Sequence, residues 1–309
     1  MQRHWDTVVM GAGAAGLSAA GAVAREGLSC LCIDRLGPGG LLMNLGPIHD
    51  APDLATGTTG PDLIAALLDP ALAAGAELAM TEVRQLRQDA GWTVETDDGN
   101  HRARAVIIAT GLAPGVLDVD GEAAFEGRGL SHCAVCDGPL YAGLDVVVAG
   151  ADEWAAQEAI ELAQIVRHVT VIHGDAPPPR IETVASLANV AVMPGRIVAL
   201  AGNDGLQSVT VEHDGNRRIL EARAAFVYTR RIPAVSFARA LLDLDGSGHI
   251  MVDESLRAHR PALFAAGDVR AGATQRVAAA IADGGRAGRA AALLLKAPAG
   301  MAPDTESAR

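Results

Sequence analysis

Apolar residues fall along this chain in short blocks bounded by glycine and proline turns, and the blocks alternate with longer Ala-rich stretches. Trp5 to Met10 has the length of a strand, Gly13 to Glu26 reads as a helix, and Leu28 to Asp34 reads as a second strand, which predicts a βαβ opening. Loops follow around Gly37-Pro38-Gly39-Gly40 and from Pro47 to Gly57. A helix is predicted from about Gly60 to Ala74, then strands at Glu77 to Gln85, Trp92 to Thr96 and Ala105 to Ala109, until Ala113-Pro114-Gly115 breaks the pattern. A second βαβ unit is predicted from strand Leu144 to Ala149, helix Ala155 to Val166 and strand His168 to His173. Beyond a break at Leu244 to Gly248, strands at Ile250 to Val252 and Leu263 to Ala266 precede a long helix from about Thr274 to Lys296. The tail at 298–309 reads as disordered.

Two such units in 309 residues predict an α/β protein of two dinucleotide-binding, Rossmann-like domains. Half of the residues are hydrophobic but only 3% are aromatic, so Ala, Val, Leu and Ile must fill the cores and little is left for base-stacking surfaces. The net charge is −12 with no basic stripe, which argues against nucleic acid or an anionic membrane as partner. No apolar run has bilayer-spanning length, and a strand follows Met1 almost at once, leaving no room for a signal peptide. A cytoplasmic location is therefore expected.

Gly11-Ala12-Gly13-Ala14-Ala15-Gly16 lies between the first strand and helix, and Asp34 ends the second strand. In such a loop the first glycine makes the tight turn, the second lets the backbone approach a pyrophosphate, and the third lets helix and strand close. The helix N-terminus supplies N–H donors and positive dipole, and Asp34 is placed to accept from a ribose hydroxyl. The loop alone does not say which dinucleotide binds. Val106-Ile107-Ile108-Ala109-Thr110-Gly111 and Leu263-Phe264-Ala265-Ala266-Gly267-Asp268 resemble the paired strand-end motifs of flavoproteins with two dinucleotide-binding domains. That resemblance implies FAD, with Asp268 on the ribityl chain.

Four cysteines in a reducing compartment are buried apolar residues, metal ligands or redox groups rather than a disulfide framework. Cys30 and Cys32 occupy alternate positions of an apolar strand and read as structural. Cys133 and Cys136 instead sit in the polar stretch Ser131-His132-Cys133-Ala134-Val135-Cys136-Asp137-Gly138, at a spacing that lets a disulfide form and open readily. Zinc competes for such a pair, but no second Cys pair or His pair at ligand spacing accompanies it. Asp137 is placed either to shuttle a proton to or from a thiolate or to serve as a turn residue.

The run from Ala109-Thr110-Gly111 through Phe125-Glu126-Gly127-Arg128-Gly129 to Cys133-Ala134-Val135-Cys136-Asp137-Gly138 resembles low-molecular-weight thioredoxin reductases and the related flavoprotein subunit of alkyl hydroperoxide reductase. Gly39-Gly40, Gly60 and Gly267-Asp268-Val269 match the same family. The resemblance implies a homodimer with a discontinuous FAD domain, 1–114 and 246–297, interrupted by a smaller domain at 115–245 that carries the cysteines. It implies catalytic roles for Cys133, Cys136 and Asp137. The flavin site it implies comprises Gly11, Gly13, Ala14, Ala15, Gly16, Asp34, Arg35, Gly40, Leu41, Asn44, Ala109, Thr110, Gly111, Gly267, Asp268, Gln275, Arg276 and Val277.

The chain departs from that family where NADPH would bind. Its second loop reads Gly150-Ala151-Asp152-Glu153-Trp154-Ala155, and Asp152 puts a carboxylate where a glycine admits the pyrophosphate. The family's His-Arg-Arg cluster is replaced by His173-Gly174-Asp175 followed by three prolines, although Asp175 suits a ribose hydroxyl of NADH. Arg230 replaces a strand-end glycine, and Arg230 and Arg231 read as solvated. Gln275-Arg276 also inverts the usual order beside the flavin. The expectation is an FAD-dependent thiol–disulfide oxidoreductase that uses NADPH poorly. Its electrons would come from ferredoxin or another flavoprotein, and its partner would be a thioredoxin-like protein or a small dithiol or disulfide. An oxygen-coupled dithiol oxidase acting on a small natural product, a conventional NAD(P)H-dependent reductase and a silent flavin-binding scaffold stand as alternatives.

Overall fold

The structure, a computed structural model, describes residues 3–44, 48, 55–174, 177, 181–229 and 231–297. The predicted tail therefore lies outside the described residues. Two compact units form: one from residues up to Leu112 together with those from Pro233 onward, the other from Ala113–Ile232.

The first unit opens with β1 (Arg3–Met10), α1 (Ala14–Arg25), β2 (Cys30–Asp34), α2 (Gly60–Ala73), β3 (Glu77–Met80), β4 (Val83–Gln88), β5 (Trp92–Thr96) and β6 (Gly99–Ile108). The chain leaves through the two-residue β7 (Leu112–Ala113). The second unit holds β8 (Leu130–Ser131), α3 (Ala134–Asp137), β9 (Asp145–Gly150), α4 (Glu153–Ala163), β10 (His168–His173) and α5 (Ile181–Ala185). It continues with β11 (Val190–Pro194), β12 (Arg196–Ala201), β13 (Ser208–His213), β14 (Asn216–Glu221) and β15 (Ala224–Tyr228). After β16 (Ile232–Pro233) the chain completes the first unit with β17 (Leu263–Ala265) and α6 (Val277–Lys296).

In the first unit β3, β2, β1 and β6 run parallel, and the long β6 serves two neighbours: Ala103 pairs antiparallel with Trp92 of β5, while Val106 pairs parallel with Leu263 of β17. Val106, Ile107 and Ile108 are fully buried, as befits a parallel strand covered on both faces. Helices α1 and α6 lie backbone against backbone: a Cβ at Gly284 would stand 2.0 Å from the carbonyl oxygen of Ala15, and one at Gly288 would stand 2.6 Å from that of Ala19. Small residues thus replace the missing aromatics by letting the helices close on each other. In the second unit β11, β10, β9, β15 and β8 form a parallel sheet, and β12, β13 and β14 an antiparallel one. Val146, Val148 and Phe226 face one core with Leu162, whereas Val147, Ala149 and Val227 face another with Leu206 and Val209. The period of two along β9 and β15 sets that division.

Several expectations need correction. The strand foreseen at Glu77 to Gln85 is two strands, because β3 pairs parallel with β2 and β4 antiparallel with β5, which places them at opposite edges of the sheet. Ile250 to Val252 forms no strand; Ile250 makes only isolated bridges to Leu244 and Arg270. The last helix starts at Val277, three residues late, since Gln275 has φ +49, which ends helical geometry there. The return to the first unit falls at Pro233 rather than 246, because Val235, Ala238 and Leu242 pack with Leu86, Trp92 and Leu263. The β12–β14 sheet had no counterpart in the sequence reading. Among the described residues no helix is long and apolar enough to cross a membrane.

Candidate active site

The C-terminal ends of β1, β2, β6 and β17 converge in the first unit, the edge at which parallel α/β sheets bind ligands. Gly11 follows β1 with φ +100, and a Cβ there would lie 2.3 Å from the carbonyl oxygen of Ala109, so only glycine closes this turn against the end of β6. A Cβ at Gly16 would strike the carbonyl oxygen of Gly11 at 1.7 Å. Gly13 is different: a Cβ would meet only the Gly39 carbonyl oxygen, at 3.9 Å, so this face is open. Gly13 also caps α1 without any side-chain bond to the first turn. The N–H groups at that end are therefore left to an incoming acceptor, and the cradle fits a pyrophosphate-bearing cofactor.

Other predicted residues frame this cradle. The Asp34 carboxylate accepts from the Ala12 N–H at 2.9 Å and the Leu36 N–H at 3.0 Å, which fixes the acid beside the loop with lone pairs to spare. Gly39 donates its N–H to the Ala12 carbonyl, and a Cβ on Gly40 would stand 3.5 Å from the Gly13 Cα. Ala14 and Ala15 are buried at the start of α1. Thr110 donates its hydroxyl to the Ala234 carbonyl at 2.8 Å, and Gly111 accepts from the Ala234 N–H. Gly267 approaches Ala15, where a Cβ would come within 2.9 Å, and half-buried Asp268 follows it. Arg35 is exposed, Leu41 half-buried, and Asn44 ends a 3-10 turn with its side chain outside the described residues. Gln275 and Arg276 lead into α6 at Val277. Gly13→Glu is expected to abolish flavin uptake while the fold persists, because it fills the open face at the start of α1 and adds a negative charge; flavin absorbance of the purified variant measures this.

In the second unit Cys133 and Cys136 are joined, with the sulfurs 2.08 Å apart. Cys133 caps α3, its Sγ accepting the Cys136 N–H at 3.1 Å, and is only 9% exposed, whereas Cys136 is exposed. Asp137 accepts the Ser131 hydroxyl at 2.7 Å, and Ser131 Oγ in turn accepts the Cys133 N–H at 3.1 Å. The carboxylate thereby braces the loop that carries the pair. His132 places its ring nitrogens 3.2 Å from the Val227 carbonyl and 3.2 Å from Glu126. Among the described residues no cluster of three His, Cys, Asp or Glu side chains suits a metal. Burial pushes the Cys30 thiol up to about 12 and raises Cys32 as well, which keeps both unreactive.

The second glycine loop is built differently from the first. Asp152 caps α4, its Oδ1 accepting the Ala155 N–H at 2.8 Å, so the protein's own carboxylate occupies the helix end that an open glycine leaves free in α1. Arg231 is not simply solvated, as the sequence suggested. Its guanidinium lies 5.1 Å from the Trp154 ring centroid and 3.7 Å from Asp152 Oδ2, which binds the cation to the same corner. His173 turns its Nδ1 to the adjacent Gly174 carbonyl at 3.0 Å. Asp175 and Arg230 lie outside the described residues.

Two polar side chains beneath the disulfide were missed. Glu158 is 2% exposed and accepts the Tyr228 hydroxyl at 2.6 Å and the Ala134 N–H at 3.0 Å. Its signal was present: Ala155, Glu158, Ala159 and Leu162 share the buried stripe of α4, where a carboxylate is out of place.

A family model described as pyridine nucleotide-disulphide oxidoreductase matches residues 5–284. The thioredoxin reductase of Listeria innocua is 32% identical over 300 residues, covering 93% of each chain. Among solved structures, thioredoxin reductase from Lactococcus lactis superposes with a TM-score of 0.85 at 28% identity, over 94% of this chain and 99% of its own. That from T. acidophilum gives 0.82 at 30% identity, over 94% and 98%.

Proposed function

The chain belongs to the pyridine nucleotide-disulphide oxidoreductase family, an enzyme of the flavin-dependent disulfide type, and on that premise we propose that it exchanges electrons between FAD, the Cys133–Cys136 pair and an external disulfide or dithiol without efficient use of NADPH. The carrying observation is the contrast between the two helix ends: Gly13 leaves α1 open, whereas Asp152 fills the end of α4 with negative charge.

The loop from Gly11 to Gly16 would hold the pyrophosphate, Asp34 a ribose hydroxyl and Asp268 the ribityl chain, with Ala109 to Gly111 closing the strand-end side. Bound FAD supplies a carrier of two electrons. The protein's part at the dithiol is to hold Cys133 at the start of α3, where the Cys136 N–H stabilises charge on its sulfur, and to brace that turn through Ser131 and Asp137. Opening the bond with two electrons and two protons gives two thiols, and exchange with an external disulfide returns the pair to its bonded form while that substrate leaves as two thiols. The substrate is a thioredoxin-like protein or a small disulfide, and the electrons enter from a protein donor such as ferredoxin or another flavoprotein.

The deciding experiment is anaerobic mixing of the oxidised holoenzyme with NADPH, NADH, reduced ferredoxin or a reduced flavoprotein, followed by loss of flavin absorbance. NADPH and NADH are expected to bleach the flavin slowly and only at high concentration, and a protein donor rapidly. Rapid stoichiometric bleaching at low NADPH returns the chain to the conventional nucleotide-dependent reaction.

A further inference from the structure

A buried acid, Glu158, lies beneath the dithiol turn. A Leu at position 158 would match its neighbours on α4, and a carboxylate removed from water destabilises unless partners compensate it. The partners are specific. Tyr228 Oη donates to Glu158 Oε2 at 2.6 Å, and the Ala134 N–H is shared between that oxygen, at 3.0 Å, and Tyr228 Oη, at 2.9 Å. Ala134 directly follows Cys133, whose Sγ accepts the Cys136 N–H at 3.1 Å. One short helical turn therefore presents one N–H to the redox sulfur and another to the buried carboxylate.

We propose that Glu158, held by Tyr228, is a positioning residue that sets how readily the Cys133–Cys136 pair carries negative charge once reduced. This rests on the reading of the pair as a working dithiol. When the S–S bond accepts two electrons, uptake of one proton leaves one thiol and one thiolate, and uptake of a second gives two thiols. A negative carboxylate behind the same turn opposes the thiolate, so the second proton stays on sulfur to higher pH.

Burial is the main influence raising Glu158 above the ordinary carboxylate range, and Glu161 on the same helix adds to it. The Tyr228 hydroxyl and the Ala134 N–H act in the opposite direction. Tyr228 is itself driven far above its ordinary value by burial and by Glu158, so it remains a donor throughout. The titratable groups around the turn include Asp137 on α3, bonded to Ser131, Tyr141 in the following turn, raised by burial and by Asp137, and His132, whose ring lies 3.2 Å from Glu126 and 3.2 Å from the Val227 carbonyl. Asp137, Tyr141 and His132 are chemically unaltered when Glu158 alone is substituted, and Tyr228 keeps its proton.

The experiment compares wild-type holoenzyme, Glu158→Gln and Tyr228→Phe, each with FAD bound and the dithiol reduced. It reads the pH profile of thiol alkylation and the dithiol potential against a glutathione buffer. Gln keeps the shape and the acceptor but not the charge. Its thiol ionisation is expected to move to lower pH, with alkylation near neutral pH faster by on the order of tenfold, the factor of one pKa unit, and a less negative potential. Tyr228→Phe removes the donor that favours the carboxylate, so its profile should depart from wild type in the same direction at low pH and rejoin it at high pH. Superposition of the Gln profile and potential on those of the wild type overturns the proposal, as does a Phe profile identical to wild type. If the wild-type pair does not cycle at all, the functional reading fails instead.

Discussion

Cys133→Ser and Cys136→Ser are each expected to reduce dithiol or disulfide turnover to background while FAD stays bound. The two sulfurs are joined to each other, and a serine hydroxyl cannot form or break that bond. The flavin cradle lies in a different unit, built from residues that neither substitution touches. The two variants should nevertheless differ from each other. Cys136 is exposed and Cys133 only 9% so, hence the lone thiol of Cys133→Ser should react faster with a bulky maleimide than the lone thiol of Cys136→Ser. Cys30→Ser provides the control. It places a hydroxyl in a fully buried strand, which lowers stability by about 1–3 kcal/mol, yet turnover per bound flavin should remain. Steady-state assays with a dithiol and with a disulfide, alongside a thermal melt, measure all of these outcomes. Full activity in either Cys133→Ser or Cys136→Ser rules out the relay.

Asp152→Gly should strengthen nucleotide binding, an unusual direction for a substitution at a capping residue. Replacing an N-cap acid by glycine costs a helix only a few tenths of a kcal/mol, so α4 should survive. What the change releases is larger. The Ala155 N–H loses its internal acceptor, the repelling carboxylate disappears, and Arg231 loses the carboxylate 3.7 Å from its guanidinium. A charge-assisted hydrogen bond contributes about 1.5–3 kcal/mol, so one new contact to a pyrophosphate should tighten binding roughly tenfold to a hundredfold. NADH and NADPH titrations of the variant and wild type, read by flavin bleaching and by calorimetry, give the answer. Equal affinities in both proteins would mean that Asp152 is not what closes the site.

The parts of this protein legible in its sequence are those whose chemistry is local. Gly11, Gly13 and Gly16 with Asp34 announce a tight loop with an open helix start because the turn, the helix start and the strand end lie within one βαβ segment. Cys133 and Cys136 are as compact. Asp152 was readable as a charge in the wrong place, but its bond to the helix and its pairing with Arg231 were not, since 79 positions of chain separate them. Glu158 and Tyr228 meet across 70 residues and become neighbours only after β15 pairs with β9. The β12–β14 sheet was missed for another reason. Strand β14 is almost wholly polar or exposed, and half of β12 faces solvent, so only Val209 and Val211 of β13 carry the alternation that marks a strand.

The meeting of α1 with α6 bears on the order in which the protein is made. Gly284 and Gly288 seat against Ala15 and Ala19, so the helix that follows the first glycine loop acquires this neighbour only from a segment beyond the second unit. As translation proceeds, the segment from Ala113 to Ile232 is complete and contiguous long before α6 leaves the ribosome. The dithiol unit has all its parts early, while the emerging cofactor loop waits with one flank of α1 bare. The packing of α6 against the helix behind this loop thus follows the synthesis of the whole dithiol unit.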